Sequence, residues 1–238
     1  MDSAGRKLAV GWVPILLWLY GGIVVFSGFM RFMITGQSLI TGQPVADPVF
    51  MIYAQQPWLP AIHILAGTVF MLLGPLQFIP SIRRYWPKIH RVSGRVFIVC
   101  GLIAAATGLG VEFLFPLRGG YVKRAAMVLF SLAMLVALAL AWRAAVRRRI
   151  DQHRAWVVRA YAIGLSLSTT RLYFIPAYLM YGNPSEFEAA TVTWLGFCLN
   201  CLVAEWIVRR SRRTQGSASP SAAEAAARQE GSAARGVG

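Results

Sequence analysis

A chain of 238 residues with 57% hydrophobic and 14% charged side chains has too little polar surface to enclose a water-soluble core, since soluble domains average about 25% charged residues. Its apolar residues come in runs of about 20, enough to cross about 30 Å of hydrocarbon as helix. The net charge of +15 sits in alternate loops without any nucleic-acid-binding motif, a membrane-topology pattern that excludes nucleic acid as the partner.

The expected fold is therefore an all-α, polytopic transmembrane bundle. Short alternating segments of the β-barrel kind are missing from the sequence. Residues 1–12, with Arg6 and Lys7, read as a cytoplasmic tail. A first span is expected at 13–34; the run is too long for a signal peptide and lacks a cleavage site, so it reads as an uncleaved anchor. Residues 35–58 read as a long loop with Pro44, Pro48, Pro57 and one charge, Asp47, and room for a short interfacial piece.

The second span is expected at 59–80, with a kink at Gly74-Pro75. A basic loop carrying Arg83, Arg84, Lys88 and Arg91 leads to a third span at 94–115. A short loop with Arg118 and Lys123 precedes a fourth span at 124–142. Arg143, Arg147, Arg148 and Arg149 form a second basic loop before a fifth span at 153–180. An acidic loop with Glu186 and Glu188 then precedes a sixth span at 189–208. Residues 209–238 open with Arg209, Arg210, Arg212 and Arg213, become rich in Ser, Ala, Gly and Arg, and are expected to be a disordered cytoplasmic tail. Holding Lys and Arg inside gives six spans over 13–208 with both ends in the cytoplasm. The expected location is a bacterial inner membrane, with anionic lipids against the basic loops.

Polar groups in hydrocarbon turn toward the bundle interior, so their phase on each helix is informative. His63, Gly67, Phe70, Gly74 and Gln77 share one face of the second span. His90, Gly94, Gly101, Ala105, Gly108 and Glu112 do so on the third, and His153, Trp156, Ala160, Gly164 and Arg171 on the fifth. Such small-residue stripes either pack helices closely or leave room for a flat ligand. By depth, His63, Glu112 and Arg171 belong to the outer half, and Gln77, His90, His153 and Glu205 to the cytoplasmic half. A Glu112–Arg171 ion pair is expected. His63, Gln77, Glu112 and Arg171 are the candidates for ligand or proton handling.

His90 and His153 lie at similar depth on different spans, which suits axial ligation of one b-type haem. The competing reading makes them interfacial residues that hold headgroups or carbonyls. His63 lies too far away for a metal site shared by all three, and no zinc pattern is present. Cys100, Cys198 and Cys201 all fall within apolar segments and read as small packing residues. No nucleophile elbow, phosphate loop or carboxylate pair assigns a catalytic residue.

The combined pattern His63-x-x-x-Gly67, Gly74-Pro75-x-Gln77, His90-Arg91-x-x-Gly94-Arg95 and His153-Arg154-x-Trp156 with Arg159 resembles a bacterial family of multi-pass membrane proteins known as a domain of unknown function. The resemblance covers residues 61–178. It implies a membrane fold and the importance of these positions, and implies no activity, substrate or cofactor. More loosely, the histidine placement is similar to cytochrome b561-like bundles, although a two-haem core needs four histidines and this chain has three. The expected protein has a polar intramembrane site between the second, third and fifth spans. Its readings are a haem-binding redox protein, a small-molecule transporter or binding protein, and a structural membrane component.

Overall fold

The computed structural model describes residues 3–42, 56–115 and 119–217. All regular structure among them is helical: α1 (Ser3–Thr41), α2 (Trp58–Gln77), α3 (Pro80–Tyr85), α4 (Pro87–Leu114), α5 (Gly120–Val146), α6 (Ile150–Tyr181) and α7 (Glu186–Ser217). Gly11–Thr41, Trp58–Gln77, Pro87–Leu114, Gly120–Val146 and Glu186–Arg213 are long and apolar enough to cross a membrane. These five correspond to the first, second, third, fourth and sixth expected spans.

The fifth expected span is α6, which is 32 residues long but less apolar. It is an interior helix: Ser166, Ser168 and Thr170 are buried on it, together with Ala160, Tyr161, Ile163 and Leu165. Protein neighbours, rather than lipid, surround this polar stretch.

Local chemistry sets the helix ends. Pro80 and Pro87 start α3 and α4 at a position where a missing N–H costs nothing. The left-handed Gly42 ends α1, its N–H bonded to the Ser38 carbonyl. Ser185 and Glu188 form a capping box on α7: the Glu188 N–H donates to Ser185 Oγ, and the Ser185 N–H to Glu188 Oε2 at 2.9 Å.

Several expected boundaries move. The N-terminal tail and the first loop both shorten, because α1 is helical from Ser3 to Thr41. The basic loop expected after the second span contains the short helix α3, with Arg83 and Arg84 in its last turn. Gly74-Pro75 does not kink a continuing helix; α2 ends at Gln77, where Phe78 N–H bonds to the Pro75 carbonyl. The run Arg209–Arg213 stays helical because α7 continues to Ser217. Asp47 with the expected interfacial piece, Arg118, and the tail beyond 217 lie outside the described residues.

Helices α2, α4, α5 and α6 form a four-cornered bundle, each packed on its two neighbours. Helix α7 fills the groove between α5 and α6, and α1 lies against α2 and α6. Helices α4 and α6 stand on a diagonal and meet through side chains at the centre. There Phe70 stacks on Phe97 with ring centroids 4.4 Å apart, and Tyr161 lies 5.8 and 6.2 Å from them. The glycines of the three stripes admit these rings: Gly101 and Gly164 face Phe70, and Gly74 faces Tyr161. At these levels the stripes serve close packing, the first of the two readings their spacing allowed.

Candidate functional site

The diagonal pair α4 and α6 begins at the same end of the bundle, so their first turns put His90 and His153 at that end, near enough for His90 to feel the charge of His153. His153 Nδ1 lies 2.9 Å from the Ala141 carbonyl of α5. A carbonyl only accepts, so that nitrogen carries a proton and donates it. His90 feels the charges of His153, Arg83 and Arg91. Its Nδ1 is buried and has no hydrogen-bond partner among the described residues. An unsatisfied buried nitrogen costs about 1–3 kcal/mol, which makes it conspicuous beside a second imidazole.

Gln77, at the end of α2, borders the same region. Its amide donates to Ser93 Oγ at 3.0 Å, and its oxygen occupies the notch left by Gly94. Gly94 is therefore a seat for the glutamine amide.

His63 belongs elsewhere, about 21 Å of helix from Gln77. Its Nδ1 lies 2.9 Å from the Ala104 carbonyl and 3.3 Å from Thr107 Oγ1, with the ring against Gly108. It lies in the field of Arg171 and Arg31. The expected Glu112–Arg171 pair is replaced by other contacts. Arg171 donates to Ser27 Oγ on α1 and to the Leu167 carbonyl, each at 3.0 Å, while Glu112 lies in the field of Lys123 and Arg124. Arg171 leans toward α1 because a serine of that helix meets it at the same depth.

Two polar constellations were not read from the sequence. Arg159 directs both Nε and NH2 at Glu205 Oε2, at 3.1 and 2.8 Å, and lies 4.7 Å over the Trp156 ring. Arg209 binds the other oxygen of Glu205 at 3.2 Å. The available signal was two opposite charges at matching depth, which favours pairing. Second, Thr169 of α6 bonds to both Tyr20 of α1 and Asn200 of α7. Asn200 alone within an apolar run was the hint. Among the described residues, no three His, Cys, Asp or Glu side chains converge as a metal site would require.

A family model described as "Predicted membrane protein (DUF2306)" matches residues 60–208. The chain belongs to the DUF2306 family. This DUF2306 match takes in the four-cornered bundle and α7, including all three histidines and the Arg159–Glu205 pair, and leaves α1 outside. It extends past residue 178, where the motifs end. Neither the curated proteins nor the solved structures give a match to the chain, and nothing in the comparisons supports the looser likeness to cytochrome b561 bundles.

Proposed function

We propose that this DUF2306 protein is a six-span protein of the bacterial inner membrane that holds one b-type haem between His90 and His153 and passes single electrons. The observation that carries this reading is the buried, unpartnered Nδ1 of His90 beside His153. The proton of the His153 ring is held on Nδ1 by the Ala141 carbonyl, which leaves Nε2 as the ligating atom. His90 is the second ligand, and Arg83 and Arg91 are the cations available to the propionates. Gln77 would release Ser93 to open the Gly94 notch to the ring. A haem held by the two imidazoles would supply electron transfer rather than oxygen chemistry.

The topology rests on charge. Arg83, Arg84, Lys88 and Arg91 precede or open α4, Arg143 and Arg147–Arg149 join α5 to α6, and Arg209–Arg213 follow the apolar part of α7. In an up-and-down bundle these ends fall on one side, which is the cytoplasm by the positive-inside rule. A transporter reading has less support, because His63, Glu112 and Arg171 are each engaged by different neighbours.

The test is an absorbance spectrum of detergent-purified protein from haem-replete cells, oxidised and then dithionite-reduced. A stoichiometric Soret band with sharp reduced α and β bands is expected, and is lost in His90→Ala and His153→Ala. A colourless, folded protein overturns the haem assignment.

A further inference from the structure

A cleft of about 570 Å³ opens between α5, α6 and α7, and neither His90 nor His153 lines it. Phe130, Ile163 and Leu202 line it, and the small Ala133 and Ala137 give it depth. Leu202 is 69% exposed at its mouth, on a surface that meets lipid in a bilayer. Trp156, Arg159 and Glu205 lie along the part nearest the Arg-rich end of the bundle.

The charges there do not cancel. Glu205 accepts from two guanidinium groups, Arg159 and Arg209, and neutralises one of them. Arg159 spends Nε and NH2 on the carboxylate and keeps NH1 as a donor. A long apolar wall with a surplus cation at its interfacial end matches an amphiphile with a negative head. A zwitterionic head would bring its own cation against that surplus, and a neutral lipid-soluble ring would leave the charge unanswered.

We propose that this cleft binds one anionic phospholipid, its phosphate on Arg159 and Arg209 and one acyl chain along Phe130, Ile163 and Leu202. The site is independent of the haem assignment. Ala133 sets the room for the chain, and Arg209, whose side chain is 72% exposed, contributes charge without packing.

The experiment uses full-length protein, stripped of lipid in neutral detergent and titrated with phosphatidylglycerol or phosphatidylcholine. Native mass spectra and the melting temperature are followed together. Phosphatidylglycerol is expected to add one saturable adduct per chain and to raise the Tm, with phosphatidylcholine about tenfold weaker, as loss of one charge-assisted contact implies. Ala133→Phe should abolish the adduct. Arg209→Gln should weaken it about tenfold while leaving the lipid-free Tm in place, and it reads the head contact independently of any folding defect in Ala133→Phe. Equal binding of the two lipids, no saturable adduct, or wild-type affinity in Arg209→Gln overturns the proposal.

Discussion

The phenol ring of Tyr161 lies where a side chain at Gly74 would have to stand. A Cβ there would be 2.0 Å from Tyr161 Cε2, well inside contact distance, and the ring is held by its hydroxyl on the Met71 carbonyl and by Phe70, Phe78 and Phe97 around it. Gly74→Ala therefore forces α2 away from α6 and is expected to destabilise the bundle by about 1–3 kcal/mol, the usual cost of overpacking. Thermal melts in detergent of Gly74→Ala, Tyr161→Ala and the double variant check this. The double variant should recover part of the Gly74→Ala loss, and strictly additive losses would refute the steric account.

The Arg159–Glu205 pair is partly exposed, with side chains 23% and 35% accessible. Solvent screening reduces its worth below that of a fully buried pair, so Arg159→Met should cost about 1–2 kcal/mol. Glu205→Gln should cost more than Arg159→Met, because it strands Arg159 near the apolar cleft while also freeing Arg209. A double-mutant cycle followed by chemical denaturation gives the coupling, and a coupling near zero would show that the pair holds nothing in place.

Topology has a direct readout. In a background lacking Cys100, Cys198 and Cys201, Asn183→Cys should react with a membrane-impermeant thiol reagent applied to intact cells. Arg147→Cys should react only after the membrane is opened. The reverse pattern would invert the orientation.

The capping box on α7 predicts a modest, local effect. Ser185→Ala removes the acceptor for the Glu188 N–H and should cost about 1 kcal/mol. Ser185→Thr should retain most of the wild-type stability. Thermal melts of the two variants separate loss of the cap from a general intolerance of substitution.

His63 and the histidine pair should separate by spectrum. His63→Ala removes the contact with the Ala104 carbonyl and lowers stability, yet should leave a Soret band unchanged. Loss of the band in this variant alone would move the ligand to the His63 end of the bundle.

The spans were legible because hydrocarbon imposes a length and a polarity that a hydropathy run records directly. Helix ends were less so: apolarity marks where lipid begins, not where backbone hydrogen bonding stops, so α1 and α7 outrun the spans expected for them. Polar phase and depth put His90 and His153 at the same end of two different helices, where His90 feels the charge of His153. It failed for Arg171, whose partner Ser27 is 144 residues away on a helix whose rotation no motif reports. Arg159 and Glu205, 46 residues apart, were each visible as charges and not as a pair. The glycine stripes were visible too, but only the position of Phe70 and Tyr161 tells packing from empty space.

Helix α1 is joined to the rest by Trp18 on the Leu72 carbonyl, Tyr20 on Thr169 and Ser27 under Arg171. Two of these three partners lie on α6. A ribosome delivers Tyr20 to the membrane 149 residues before Thr169. The first helix can therefore lean on α2 as soon as Leu72 arrives, while its two bonds to α6 wait until Thr169 and Arg171 have followed.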